Sequence, residues 1–279
     1  MRVVITGHKG QLGRQLQAAF AGREILGLDM PEDDITAPAI RDRIAGFRPD
    51  LILHAAAYTD VDGCETNPEL AFRVNAVGSQ NIALAAAQTG AALLYISTNE
   101  VFDGRRREIY REWDAVNPTS VYARSKAAGE QIVRDLAGGR FYICRVAWLF
   151  GPGRNNFVTK ILAGAEKYGS LKVAADEFGN PTYAPDLAQA IVRLTATNQF
   201  SIYHLTNAGF CSRHEFAQTI MRLAGKPDLP ITPILSADWP RPSKPPLHAV
   251  LANTAAAALD ITLRPWEEAV AEYVGTLER

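Results

Sequence analysis

Glycines 7, 10 and 13 lie between an apolar run and an amphipathic one at the start of the chain, and they restrict the possible folds more than any other feature. Val3-Val4-Ile5 leads directly into Thr6-Gly7-His8-Lys9-Gly10-Gln11-Leu12-Gly13. A short β-branched segment ending in closely spaced glycines predicts a strand, a tight turn and a helix, because glycine tolerates positive φ and lets the backbone approach another group. The second glycine gap has the spacing of a dinucleotide-binding turn, and the first is one residue longer. The helix expected near 12–20 would aim its first N–H groups at a pyrophosphate. A second strand, expected at Glu24–Leu28, ends at Asp29, sixteen residues after Gly13, about where an acid accepts hydrogen bonds from an adenosine ribose. Glycine spacing alone also suits a turn built only for packing. Strand, glycines, helix, strand and acid in that order predict a dinucleotide site at Gly7, His8, Lys9, Gly10, Gln11, Leu12, Gly13 and Asp29.

The alternation continues. Further strands are expected at Leu51–His54, Ala92–Ser97 and Phe141–Ala147, with helices near 39–46, 68–88 and 120–136. Short apolar strands separated by helices mean βαβ units and a parallel sheet covered on both faces. The expected fold is therefore α/β, a Rossmann-like doubly wound parallel sheet with a smaller α/β substrate-binding lobe. After Gly151-Pro152-Gly153 the rhythm changes and proline increases, notably in Asp238-Trp239-Pro240-Arg241-Pro242-Ser243-Lys244-Pro245-Pro246. Residues 1–150 are expected to form the dinucleotide-binding lobe, with a segment near 183–206 returning to it. Residues 151–279 are expected mainly to form the substrate lobe, with the cleft at the carboxyl ends of the strands.

A net charge of -1 offers no electrostatic footprint for nucleic acid or an anionic membrane, and 47% hydrophobic residues suffice for a sizeable core. Cys64, Cys144 and Cys211 are odd in number and widely spaced, which argues for a reducing compartment, with cytoplasm the expected location, and against disulfides. Neither they nor the five histidines show metal-ligand spacing, so no metal is expected. The chain enters a strand directly after Met1-Arg2, without signal-peptide architecture, and no apolar run approaches the roughly 18 residues that span a bilayer.

Tyr122 and Lys126 stand four residues apart in Ser120-Val121-Tyr122-Ala123-Arg124-Ser125-Lys126, a spacing that puts both on one helix face. A phenol with a pKa near 10 is a poor acid or base at neutral pH, but an adjacent ammonium favours the phenolate. The spacing alone suits a surface pair equally well, and the dinucleotide turn upstream gives it meaning. The third strand runs out into His54-Ala55-Ala56-Ala57-Tyr58, where small residues let a cofactor lie against the backbone. The fourth ends at Ser97-Thr98, and the fifth in Arg145-Val146-Ala147-Trp148. A hydroxyl at Thr98 would hydrogen-bond a substrate carbonyl while Tyr122 protonates the oxygen on which charge develops as hydride arrives. Lys126 would hold the phenol and the nicotinamide ribose.

These pieces, together with Asp34-Ile35-Thr36, Arg48-Pro49-Asp50, Val61-Asp62, Asn75, Val101-Phe102-Asp103-Gly104, Asn117-Pro118, Asn155-Asn156-Phe157 and Gly179-Asn180-Pro181-Thr182, make the chain resemble the extended short-chain dehydrogenase/reductase superfamily. Within it, the resemblance is to the dTDP-4-dehydrorhamnose reductases, over nearly the whole length. It implies NADPH- or NADH-dependent reduction of the 4-keto group of a dTDP-linked 6-deoxyhexulose by a monomer or homodimer. The family's catalytic set falls on Thr98, Tyr122 and Lys126. Cofactor contacts would come from the glycine turn, Asp29, Asp34, Ile35, Ala55, Ala56, Ala57, Tyr58, Ser97, Tyr122 and Lys126. Asp29 favours a free ribose hydroxyl, whereas His8 and Lys9 would admit a 2′-phosphate, so both NADH and NADPH are expected to bind.

By the same carry-over, Thr98, Asn99, Glu100, Trp148, Asn156 and Thr182 would meet the substrate: Trp148 as a flat face, Asn156 as a donor to a diphosphate, Thr182 in a substrate loop. The chain also departs from the family. Ser97-Thr98-Asn99-Glu100-Val101-Phe102 stands where Ser-Thr-Asp-Tyr-Val-Phe is usual, so Glu100 replaces a substrate-facing aromatic. It either lines the pocket or turns outward to Arg105 or Arg106. The family's Arg-Pro-x-x-Ser-Val-Leu is matched by Pro245-Pro246-Leu247-His248-Ala249-Val250-Leu251, which leaves Lys244 or Arg241 to supply the missing charge, and Gly63 replaces a lysine. Asp186, behind Pro185, reads as an acid at a helix N-terminus. Two other roles remain open on this fold: a nucleotide-sugar epimerase or dehydratase, and a non-catalytic NADP-binding regulatory subunit.

Overall fold

The computed structural model describes residues 1–153 and 155–277. The first part alternates as expected: β1 (Arg2–Thr6), α1 (Gln11–Ala19), β2 (Glu24–Leu28), α2 (Ile40–Phe47), β3 (Leu51–His54), α3 (Val61–Thr66), α4 (Pro68–Phe72), α5 (Ser79–Thr89), β4 (Ala92–Thr98), α6 (Val121–Leu136) and β5 (Phe141–Val146). There follow β6 (Leu149–Phe150), α7 (Phe157–Tyr168), β7 (Leu171–Ala174), β8 (Phe178–Gly179), β9 (Thr182–Tyr183), α8 (Ala184–Ala196) and β10 (Ile202–His204). The chain closes with β11 (Cys211–Ser212), α9 (Arg213–Leu223), β12 (Ile231–Ile234), α10 (Thr254–Ala257) and α11 (Trp266–Leu277).

Six strands form one sheet in the order β10-β5-β4-β3-β1-β2, and every pairing in it is parallel. The order reverses at β1, with β2 on one side and β3 on the other. This opens a crevice at the carboxyl ends of β1 and β3, where doubly wound sheets bind their ligands. Alternate residues of β1 serve opposite faces. Val3 and Ile5 pack with Leu12, Leu16, Leu187 and Ile191, while Val4 packs with Ile40, Ile44, Ile82 and Val133. Each fully buried aliphatic side chain contributes roughly 1.5–3 kcal/mol relative to exposure. Residues 184–204 thus belong with the main sheet, through α8 and β10. A third core, around Phe150, Val158, Ile161, Phe216, Ile220, Trp266 and Tyr273, is supported by the two-stranded pairs β6 with β9, β7 with β12 and β8 with β11.

The single helix expected over 68–88 is broken in three. Asn67 caps α4 by accepting from Leu70 N at 3.1 Å, a π-helix occupies Arg73–Gly78, and α5 follows. The wide turn directs Asn75 inward. Its Oδ1 accepts from Tyr58 N at 2.8 Å, and its Nδ2 donates to Tyr58 O at 3.0 Å and Ser125 Oγ at 2.9 Å. Those bonds tie the outlet of β3 to α6. The short α3, which hydrophobic periodicity does not announce, is capped by Asp60 accepting from Gly63 N at 3.0 Å. The fifth strand stops at Val146 rather than Ala147, and Trp148 adopts φ 43°. Among the described residues, no helix is long and apolar enough to cross a membrane.

Candidate active site

One cleft of about 1640 Å³ runs from the glycine turn to the third core, above the few hundred to a thousand Å³ of ordinary small-molecule sites. It has room for two sizeable ligands. At its head Gly7 has φ 69°, and a Cβ there would lie 2.8 Å from Ala56 N. A Cβ on Gly13 would lie 2.1 Å from Gly7 O, so only glycine lets α1 start this close to β1. Asp29 Oδ2 accepts from Lys9 N at 2.8 Å and Oδ1 from Met30 N at 2.9 Å. The acid thus braces the turn and keeps lone pairs facing the cleft. Lys9 Nζ reaches Met30 O and Glu32 Oε2, both at 3.3 Å. Gln11 Nε2 donates to Gly151 O at 2.7 Å, which pins the turn to the start of the smaller part. A turn with glycines at 7, 10 and 13 at a helix N-terminus, followed by an acid and by Ala55, Ala56 and Ala57 along the wall, suits a nicotinamide dinucleotide.

Thr98, Tyr122 and Lys126 line the next stretch. Ser120 caps α6 by accepting from Ala123 N at 3.0 Å, and Val121 N donates to Glu65 Oε1 at 2.7 Å. These bonds set the rotation of α6 so that positions 122, 126 and 130 face inward. Lys126 Nζ donates to Ile96 O at 2.7 Å and sits 4.0 Å from the Tyr95 ring centroid. The expected lowering of the phenol by its lysine is not what the protein alone does. Burial, reinforced by Glu100, raises the Tyr122 pKa above its ordinary value. Burial also pushes Lys126 down to about 7, against the pull of Glu130. The phenol is therefore a proton donor at neutral pH.

Beneath this wall Arg145 Nε and Nη2 grip Glu130 Oε1 and Oε2 at 2.9 and 2.8 Å, and Ser97 Oγ donates to Glu130 Oε1 at 2.5 Å. The Ser97 side chain thus supports α6, and Ser97 also lines the cleft. Asn99 Nδ2 donates to Ala249 O at 2.9 Å, binding the end of β4 to the C-terminal segment.

Glu100 lines the cleft, not the outer surface, and Arg106 pairs instead with Asp114. The Glu100 N–H donates to Thr98 Oγ1 at 3.2 Å, and its Oε2 is buried without a hydrogen-bond partner among the described residues. Burial raises its pKa from 4.5 to about 7, opposed by Arg213 and Arg241 and assisted by Glu177. Because the folded value lies above the unfolded one, this group stabilises the fold below pH 4.5, and that contribution is lost as pH rises through about 7. Glu100→Gln should then melt above the parent by a wider margin at pH 8 than at pH 5. A calorimetric Tm offset that does not change with pH would mean that Glu100 ionises as it does in water.

Several expected contacts lie elsewhere. The His8 ring turns from the cleft onto Gly27, where a Cβ would lie 2.7 Å from it. Tyr58 packs with Cys64, Val121 and Tyr122 as support, and Thr182 is buried, its hydroxyl donating to Asn180 O at 3.2 Å. Asn156 touches the cleft, but its amide is engaged as the cap of α7: Oδ1 accepts from Val158 N at 3.0 Å, and Nδ2 donates to Gly151 O at 2.9 Å and Tyr273 Oη at 3.1 Å. Asp34 and Ile35 do line the cleft. Trp148 lines it too, though the Arg213 guanidinium lies 3.7 Å over its ring. Asp186 stands in the first turn of α8 and is held by Arg264 at 2.8 Å. Of the two candidates for the missing charge, Arg241 reaches the cleft. Arg213, Glu177 and Lys160 went unforeseen; the one legible signal nearby was the Ser212/Glu215 capping box that starts α9 at Arg213.

The family described as RmlD substrate binding domain matches residues 1–279. A Mycobacterium tuberculosis protein named dTDP-4-dehydrorhamnose reductase is 39% identical over 279 residues, covering 97% of this chain and 91% of that one. The crystal structure of a dTDP-4-dehydrorhamnose reductase from Clostridium acetobutylicum superposes with a TM-score of 0.95 at 37% identity, covering both chains completely. A Bacillus anthracis dTDP-4-dehydrorhamnose reductase in complex with NADP gives 0.94 at 35% identity, covering 100% of this chain and 99% of that one.

Proposed function

The chain belongs to the RmlD substrate binding domain family, and from that premise we propose that it is a nicotinamide-dependent oxidoreductase reducing the 4-keto group of a dTDP-linked 6-deoxyhexulose. The observation that carries this reading is the convergence of Thr98, Tyr122 and Lys126 on one wall of a cleft that begins at a glycine turn where Gly7 and Gly13 have no room for a Cβ. Gly7, Gly10 and Gly13 hold the pyrophosphate, Asp29 the adenosine ribose, and Lys126 the nicotinamide ribose. The bound cofactor supplies hydride. Tyr122, kept protonated by burial, donates its proton to the sugar oxygen as charge collects there, and the Thr98 hydroxyl bonds the same oxygen. Since the Asp29 charge is shared with two backbone N–H groups, both NADPH and NADH are accepted. The enzyme works in the cytoplasm as a monomer or homodimer. Nicotinamide oxidation upon addition of dTDP-4-dehydrorhamnose, followed at 340 nm with each cofactor, tests the reading; no oxidation with either cofactor would sink it.

Glu100 tunes which sugar fits. An ionised carboxylate only accepts hydrogen bonds, so it favours a substrate with an additional hydroxyl or amino donor over the rhamnose precursor. Glu100→Tyr should raise kcat/KM for dTDP-4-dehydrorhamnose roughly tenfold, the equivalent of about 1.4 kcal/mol. Equal values for parent and variant would show that Glu100 does not select the sugar.

The same side chain favours a second reading. A cleft carboxyl that changes charge near pH 7, beside a phenol able to polarise a ketone, suits proton removal from a carbon next to that ketone, the step an epimerase requires. Enzyme-dependent deuterium uptake from D₂O into the sugar, without net reduction, would favour it.

A further inference from the structure

The proline-rich stretch after β12 lies outside all three main cores, and its ends are fastened to different parts of the molecule. At one end Ser236 N and Oγ donate to Asp176 Oδ1 and Oδ2, each at 2.8 Å. At the other, Asp62 Oδ1 accepts from Arg241 Nε and Ser243 N, both at 3.1 Å, and from the Ser243 hydroxyl. Asp176 follows β7 in the smaller part, whereas Asp62 lies in α3, just beyond β3 of the main sheet. The stretch therefore bridges the two sides of the cleft. Between its anchors, Trp239 and Arg241 line the cleft, and Trp239 is 55% exposed. Pro240 and Pro242 flank Arg241 and fix φ on either side of it, so little freedom remains once the ends are held.

The charge at this end favours an anion. Lys160 and Lys172 line it, and among the described residues neither has a carboxylate partner within salt-bridge distance. Arg213 faces Glu177 at 3.7 Å. Arg241 contacts Asp62 through Nε, and no hydrogen bond from its Nη groups occurs among the described residues. Asp60, Asp62, Glu100 and Glu177 line the cleft as well, but Arg241 keeps guanidinium donors of the kind that bind phosphate in pairs.

We propose that residues 236–243 form a strap tied down by carboxylates at both ends, and that Asp62 is a positioning residue that sets Arg241 and Trp239 against the diphosphate and base of the substrate. This inference rests on the nucleotide-sugar reading above. Asp62 also lines the cleft, but its Oδ1 is taken up by the strap, so its loss acts on nucleotide affinity and leaves the dinucleotide turn alone.

Calorimetric titration with thymidine diphosphate, and in parallel with NADPH, tests it on the full chain. Asp62→Ala should weaken thymidine diphosphate about tenfold, the worth of a charge-assisted contact, while the NADPH Kd changes less than twofold. Arg241→Ala should match it, and the double variant should be no worse than Arg241→Ala, because the two residues act as a unit. Asp62→Asn, whose amide oxygen still accepts, should recover part of the loss. Additive losses, an equal loss of NADPH affinity, or unchanged thymidine diphosphate affinity would each overturn the proposal. Should Asp62→Ala fail to fold, Ser236→Ala combined with Ser243→Ala removes strap bonds without disturbing α3. That variant should weaken thymidine diphosphate at least threefold, and an unchanged Kd overturns the strap. A parent that fails to bind thymidine diphosphate also overturns it. A parent that binds thymidine diphosphate yet oxidises neither NADPH nor NADH when given dTDP-4-dehydrorhamnose would refute the ketoreductase reading and leave the strap standing.

Discussion

Tyr122→Phe should lower turnover by roughly 100- to 10,000-fold, the range for a lost general acid, while NADPH binds nearly as tightly as to the parent. The phenylalanine fills the same volume, and the contacts of the Tyr122 ring with Tyr58 and Val121 persist. What disappears is the hydroxyl that burial keeps protonated at neutral pH and able to donate to a substrate oxygen. Thr98 retains a hydroxyl, but one engaged with Glu100 N at 3.2 Å and Asn99 Oδ1 at 3.4 Å. Single-turnover kinetics at saturating cofactor, with a fluorescence titration of NADPH, separate the two effects. Turnover within a few-fold of the parent would remove Tyr122 from the mechanism.

Glu130→Ala should destabilise the fold by about 3–5 kcal/mol, the cost of stranding a buried charge. Arg145 is 2% exposed and makes both of its short carboxylate contacts with Glu130. Its remaining bond, from Nη1 to Glu112 O at 3.3 Å, cannot neutralise it. The substitution also takes the acceptor from Ser97 and the nearby negative charge from Lys126. Lys126 should therefore lose its proton at still lower pH, so activity should fall more at pH 6 than stability alone explains. Replacing both charges, Glu130→Leu with Arg145→Met, should recover much of the stability, since a buried pair is weakly stabilising compared with an apolar pair of similar volume. Denaturant unfolding decides the matter, and a loss below 1 kcal/mol for Glu130→Ala would show that Arg145 finds another partner or water.

The elements expected from sequence and those observed agree where one short segment carries the information. β1 to β5 fall within a residue or two of expectation, because strands of a parallel sheet covered on both faces read as short continuous apolar runs. The 68–88 region was less legible. Nothing within that stretch announces that Asn75 must turn toward Tyr58 and Ser125, which lie 17 and 50 residues away. A local helical pattern reads through the π turn that this contact requires. Asn156 has two readings for a related reason. An asparagine suits both a ligand donor and a helix cap, and Thr159 three residues on completes a capping box.

By itself, then, the sequence determined the alternating strands, the glycine turn and the pairing of Tyr122 with Lys126, since each is encoded in residues close in the chain or one helical turn apart, while Thr98, 24 residues before Tyr122, joined them through the family resemblance. Tertiary structure alone decided how those groups are charged. Burial raises Tyr122 and lowers Lys126, and burial lifts Glu100 to about 7 against the pull of Arg213 and Arg241, more than a hundred positions away. An ionisation equilibrium depends on the solvent and charges that surround a group in space. Those surroundings exist only once β12, α9 and the strap have folded back over the ends of β3 and β4.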